Sequence, residues 1–364
     1  MTISHDHWLS SLIASIASPD PDGHYRARAR ARLDQLLLPH GGLGRLEDVI
    51  LRLARVQQRE RPAIPRKTLL IFAGDHGVTE ERISAYSADV TANVCYSFIA
   101  GGGAANVLTR CAGADIRVID VGVAHDFRGV HGIVHRKIAF GTRNLRREPA
   151  GTVEQTLQAM QAGAEAVDAC TDSDIIALGE IGIGNTTASA ALFSALTGID
   201  PEISVGVGTG IGPQTRARKV AVVRDALELH RDAIQDPLHA LATVGGLEIS
   251  ALTGAVLAAA ARRKPVLVDG FITSVAALAA TCLSGDVPVR DYLLASHRSP
   301  EQGHSALLEH LGIVPLLDVG LRIGEGTGAA LAFPIIDAAC TLVSQIHTFE
   351  EAGIQIPPVS PERL

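Results

Sequence analysis

Two glutamates stand among glycines in this sequence, Glu180 in LGEIGIGNTT and Glu325 in LRIGEGTGAALA. A carboxylate becomes a better general base near neutral pH when burial or a like-charged neighbour raises its proton affinity. Glu325 lies between Gly324 and Gly326, immediately before a long apolar run, so it is uncrowded and open to a ligand in an apolar cleft. An acid at a helix start also complements the helix dipole, so position alone does not assign it a role. Glu180 closes an apolar run and leads into Gly182, Gly184, Asn185, Thr186 and Thr187, where a helix is expected to begin. Glycines permit close backbone approach, and a helix start offers free N–H groups at its positive end, an arrangement suited to phosphate. Turn and cap requirements explain the glycines equally well but leave Glu180 unexplained. GEIGIG does not have the glycine spacing of a dinucleotide fingerprint, and no Walker lysine follows it.

A second glycine loop holds Gly206, Gly208, Gly210 and Gly212 and precedes a helix that carries Arg216, Arg218 and Lys219. One of these cations turned inward would bind a phosphate. Spacing does not choose among them, and solvent-facing charge is the alternative. Of the 14 histidines, the pairs His5/His7, His131/His135 and His304/His310 have no supporting carboxylate cluster and are expected to be surface or structural. Asp75-His76 sits in an expected post-strand loop but is too little for a metal site by itself. Cys95, Cys111, Cys170, Cys282 and Cys340 are odd in number and lack a C-x-x-C pair, so neither a disulfide framework nor zinc is signalled and a reducing cytoplasm fits.

Such loops need a rigid frame. Apolar runs without alternation recur at 68–74, 115–123, 174–180, 202–208, 264–270 and 314–320, separated by Ala-rich helical segments. Strands of this kind belong to a parallel sheet covered on both faces, so the expected fold is α/β, a doubly wound, mainly parallel sheet. In such sheets ligands bind beyond the carboxyl ends of the strands, where the glycine loops fall. Upstream, 41–57 reads as a helix with Leu46, Val49, Ile50, Leu53 and Val56 on its apolar face and Arg45, Glu47, Asp48, Arg52 and Arg55 on its charged face.

Composition narrows the function classes. With 364 residues, 47% hydrophobic and 20% charged, the chain buries a large core and is not disordered. A net charge of −7 without a long basic run makes nucleic acid a poor partner. The N-terminal segment lacks a basic leader, and the apolar stretches 249–260 and 328–336 fall short of the roughly 20 residues that cross a bilayer, so no membrane span is expected.

Read in order, LGRLE (43–47), FAGDHGV (72–78), ISAYSADVT (83–91), GGGAANVL (101–108), GTRNL (141–145), GEIGIGNTT, GVGTGI, VDGFITS (268–274), SHRSPEQGH (296–304) and LRIGEGTGAALA resemble the nicotinate-nucleotide:dimethylbenzimidazole phosphoribosyltransferases of cobalamin lower-ligand assembly. The resemblance covers about 41–340. It implies transfer of phosphoribose from nicotinate mononucleotide to 5,6-dimethylbenzimidazole, giving α-ribazole 5′-phosphate and nicotinate. It also implies Glu325 as general base, Glu180 as second active-site carboxylate, and phosphate contacts at the Gly182 backbone and Lys219, with Gly184, Asn185, Thr186 and Gly208 around them. A benzimidazole pocket is implied near Ser84 and Tyr86. Phosphoribosyltransferases that use a pyrophosphorylated sugar carry paired acids after a strand; here Gly270 follows Asp269. A mononucleotide donor lacks pyrophosphate, so no metal and no cofactor are expected. The resemblance further implies a homodimer and a small helical domain built from both chain ends, 1–60 and 304–364, beside a large α/β domain at 61–303. The alternatives are a phosphoribosyltransferase for another base, a catalytically idle or regulatory nucleotide-binding relative, or a dehydrogenase, which would need the fingerprint that is missing.

Overall fold

The computed structural model describes residues 5–208 and 210–355; position 209, inside GVGTGI, the start of the N-terminal segment at 1–4 and the end of the 304–364 segment at 356–364 lie outside the described residues. One parallel sheet runs through it, built from β1 (Lys67–Gly74), β2 (Asp115–Gly122), β3 (Val134–His135), β4 (Ile175–Ile181), β5 (Val266–Val268), β6 (Leu293–His297) and β7 (Pro315–Leu317). Their spatial order is β3-β2-β1-β4-β5-β6-β7, with every adjacent pair parallel. The doubly wound α/β architecture is therefore as expected. Chain order reverses between β1 and β4, which makes the crevice above their carboxyl ends the natural ligand site.

Both central strands, β1 and β4, are buried at every residue. Alternate side chains go to opposite faces. Leu70, Phe72, Ile176 and Leu178 pack with the helices Val153–Asp168, Asn185–Thr197, Leu247–Ala261 and Phe271–Ser284 on one side. Leu69, Ile71, Ile175 and Ala177 pack with Arg45–Gln57, Ala104–Cys111 and Thr327–Gln345 on the other. Leu247–Ala261 approaches Val153–Asp168 closely enough that a Cβ on Gly163 would stand 1.8 Å from the Ala251 carbonyl oxygen, and one on Gly254 1.9 Å from that of Met160. The two chain ends meet: Arg32 donates to the carbonyls of Val343 and Ile346, and Leu36 bridges Thr348.

Several local expectations change. The 202–208 run is not a strand; Asp200 accepts the Glu202 N–H at 2.8 Å and Pro201 occupies the first turn, so a short helix, Pro201–Ser204, starts there instead. β3 and β6 were not anticipated, although β6 is buried throughout. The helix expected over 41–57 begins at Arg45, and Glu47, assigned to its charged face, is buried against Arg30 with an Oε2–Nη1 distance of 2.6 Å. Thr327–Gln345, at 19 residues and a mean hydropathy of 1.5, is long and apolar enough to cross a bilayer, because the helix continues past Asp337. That carboxylate pairs with Lys67 at 2.8 Å, and over half of the helix is buried against the sheet.

Candidate active site

A cleft of about 690 Å³ opens above the carboxyl ends of β4, β5 and β6. The residues that the resemblance places in the site all line it: Glu180 and Glu325, Gly182, Gly184, Asn185 and Thr186, Gly208 and Lys219, Ser84 and Tyr86. Separations of more than a hundred residues along the chain are closed by the adjacency of β4 and β5 and by the loop after β7, which crosses back over both.

At one end lies an unusual turn. Gly324, Glu325 and Gly326 have φ of 78°, 61° and 75°, three successive residues in the left-handed region. Glycine adopts it freely, whereas for glutamate it costs about 1–2 kcal/mol, a strain that surrounding contacts must hold. Two buried carboxylates supply them. Glu180 Oε1 accepts the Glu325 N–H at 3.4 Å, while Asp269, just after β5, accepts the N–H of Gly326 at 3.2 Å and of Ala329 at 2.9 Å. The turn lies flat on the sheet, since a Cβ on Gly179 would stand 2.8 Å from the Gly326 nitrogen.

This packing sets the proton affinities. Burial, with Asp269 as a like charge, pushes Glu325 up to about 7. Glu180 is raised well above the ordinary carboxylate range by burial, then by the negative charges of Asp269, Glu248 and Glu325. It also accepts a hydrogen bond from the Asn185 amide. Two carboxyl groups in one cleft are thus both raised, Glu325 to about 7 and Glu180 well above the ordinary carboxylate range.

The glycine loops meet at the other end. Lys219, buried in the helix Pro213–Leu229, donates to Thr186 Oγ1 at 2.7 Å. Burial pulls its ammonium down to about 8 against the opposing pull of Glu301. A Cβ on Gly208 would come within 3.0 Å of Thr186 Oγ1 and 3.4 Å of Lys219 Nζ, and one on Gly182 would strike the Gly74 carbonyl at 2.2 Å. Arg216 and Arg218 are engaged elsewhere, the first by Glu202 and the Val205 carbonyl, the second by the Arg82 carbonyl. The inward cation is Lys219. Ser84 and Tyr86 stand beside an apolar wall of Ile83, Val90 and Val94. Ser84 Oγ accepts the Tyr86 N–H at 3.2 Å, and Tyr86 is exposed.

Sequence reasoning missed Asp269 as an anchor of the Glu325 turn, and it missed Glu301 and His297 as lining groups. The VDGFITS motif was visible; nothing local showed what its aspartate holds. Asp75-His76 proves structural in placement: His76 Nε2 meets Glu248 Oε1 at 2.6 Å, both fully buried. Burial lowers the His76 proton affinity, but the Glu248 charge and hydrogen bond outweigh it and leave it raised. The pair sits under the loop at 182–184, with His76 Cβ 3.1 Å from where a Gly184 Cβ would be. His304 is buried between Ser274 Oγ and the Ser299 N–H. Among the described residues no group of three or more His, Cys, Asp or Glu is placed to hold a metal ion.

The sequence model of a family described as phosphoribosyltransferase matches residues 18–354. The nicotinate-nucleotide–dimethylbenzimidazole phosphoribosyltransferase of Geobacter sulfurreducens is 44% identical over 335 residues, covering 92% of this chain and 95% of the relative. That of Chlorobaculum tepidum is 44% identical over 349 residues, covering 95% and 98%. A crystal structure of the protein of the same name from Thermus thermophilus superposes with a TM-score of 0.86 at 41% identity, over 92% of this chain and 99% of that one. With agreement across nearly its whole length in both sequence and fold, the chain belongs to the nicotinate-nucleotide–dimethylbenzimidazole phosphoribosyltransferase family.

Proposed function

We propose that this protein transfers the 5-phosphoribosyl group from nicotinate mononucleotide to 5,6-dimethylbenzimidazole, forming α-ribazole 5′-phosphate and nicotinate. The observation that carries the reading is the polarity of the cleft: Lys219 and Thr186 stand at one end, and the Glu325 carboxyl, with its proton affinity near neutrality, at the other. The donor's phosphate is held by Lys219, Thr186 and the backbone around Gly182, Gly184 and Asn185, with Gly208 leaving the room. The acceptor ring lies on the apolar wall near Ser84 and Tyr86.

One ring nitrogen of the benzimidazole attacks C1′ of the ribose while Glu325 takes the N–H proton from the other nitrogen. The C1′–N bond to nicotinate breaks, and its electron pair neutralises the pyridinium nitrogen, so the leaving group needs no acid. Attack opposite the departing ring converts a β-linked donor into an α-linked product. Glu180, whose proton affinity burial and its acidic neighbours raise well above the ordinary carboxylate range, serves as a hydrogen-bonding partner of the bound ring rather than a second base.

The division into a small domain, 1–60 with 304–364, and a large one, 61–303, is proposed on family resemblance; the chain ends meet, while β7 and the helices Arg45–Gln57 and Thr327–Gln345 also pack with the sheet. Five free thiols suit the reducing cytoplasm expected for the enzyme. A homodimer is proposed on family resemblance. Chromatographic product analysis tests the activity: nicotinate and α-ribazole 5′-phosphate appear in equal amounts only when both substrates are present. Hydrolysis of the mononucleotide without transfer overturns it, and preferential use of another base in competition moves the acceptor assignment.

A further inference from the structure

The Glu325 turn carries a requirement that the proposed chemistry does not use. The helix Thr327–Gln345 begins after Gly326, which has no side chain to cap it. Its first N–H groups are instead taken by a residue 57 positions earlier, Asp269, whose two carboxylate oxygens accept from Gly326 and Ala329. Asp269 is 1% exposed and is itself held in place: its N–H donates to Thr273 Oγ1 at 2.9 Å and its carbonyl accepts from Ser296 Oγ at 3.0 Å. A carboxylate at a helix N-terminus is favoured by both hydrogen bonding and the dipole. We infer that Asp269 is the positioning residue for Glu325: its carboxylate, fastened to β5, clamps the left-handed turn that presents the Glu325 carboxyl to the cleft. This role rests on the transferase reading given above.

The same placement couples the two acids electrostatically. Around Glu325 stand Glu180 from β4, Asp269 from β5, Arg322 on its own loop and Cys95 from the helix Val90–Ile99. His297 from β6 lies 3.7 Å from Asp269 Oδ1, and Glu248 acts on Glu180. Of these, Asp269 is the charge that opposes ionisation of Glu325. A clamp that only shaped the backbone would leave the Glu325 titration alone; this one moves it.

Asp269→Asn separates these possibilities. The amide keeps the size but offers one oxygen where two N–H groups need acceptors, and it carries no charge. Expected are a fall in kcat of about 10- to 100-fold with KM for nicotinate mononucleotide within about threefold of wild type. The acid limb of the pH–kcat profile moves down by about one pH unit from its midpoint near 7, since removing a like charge favours the Glu325 carboxylate. A wild-type kcat, or a fall in kcat with an unmoved midpoint, overturns the inference. If Asp269→Asn does not fold, Asp269→Glu decides. Its displaced carboxylate retains the charge, so kcat falls at least about tenfold with the midpoint still near 7, and an undiminished kcat overturns the role. Should wild type release no nicotinate, the transferase reading fails by itself. Asp269 is then judged by carboxyl ¹³C titration of Glu325, identified by its absence in Glu325→Gln, which must shift to lower pH in Asp269→Asn.

Discussion

Replacing Glu325 by glutamine keeps the side chain's size and its place in the turn and removes only the ability to take a proton. Loss of a general base slows a reaction by about 10² to 10⁴, which is roughly 2.7–5.4 kcal/mol of barrier. Glu180 is expected to be a poor substitute, because burial and its acidic neighbours raise its proton affinity and disfavour its carboxylate form. The pH dependence sharpens the test. Glu325 is raised to about 7 and, as the proposed general base, would act in its deprotonated form, so wild-type turnover is expected to rise through neutrality. Its rate at pH 6 is about a tenth of the plateau, as one pH unit below a pKa leaves about a tenth of the group ionised. Glu325→Gln removes this limb along with the rate. Single-turnover nicotinate release at saturating substrates, followed between about pH 5.5 and pH 9 with mononucleotide binding checked by calorimetry, measures both. A wild-type rate in the variant, or a slow variant that retains the same acid limb, refutes the assignment. A small loss in Glu325→Gln followed by collapse in the double variant with Glu180→Gln means that the two acids share the proton.

Lys219→Ala is expected to weaken nicotinate mononucleotide binding by about 1.5–3 kcal/mol, or roughly 10- to 150-fold in Kd, by calorimetry. Lys219 is lowered to about 8, so wild-type affinity for the mononucleotide declines as pH rises beyond that value, and the alanine variant lacks this decline. Turnover is expected to survive exhaustive chelation, because the donor carries no pyrophosphate; loss with EDTA and recovery with Mg²⁺ or Zn²⁺ would replace the mechanism. Gly254→Ala forces a Cβ against the Met160 carbonyl oxygen, 1.9 Å away in the present packing, and is expected to destabilise the fold by about 1–3 kcal/mol in denaturant unfolding.

The sequence by itself determined the class of fold and the identity of the loops. Uninterrupted apolar runs such as those of β1 and β4 can be buried only in a sheet covered on both faces, and glycine-rich breaks after them locate the strand ends. Ordered motifs then marked Glu180, Glu325 and Lys219, which line one cleft. Composition of a run did not determine its conformation everywhere: at 202–208 a local Asp-Pro helix start prevailed, and β6 went unrecognised although every residue in it is buried. Tertiary structure alone decided that Asp269 fastens the Glu325 turn and that Glu248 reaches His76 across 172 positions. It also decided the chemistry of the two glutamates. Proton affinity depends on burial and on charges brought close in space; strand order sets Asp269 beside Glu180, and the loop after β7 crosses back to bring Glu325 to them.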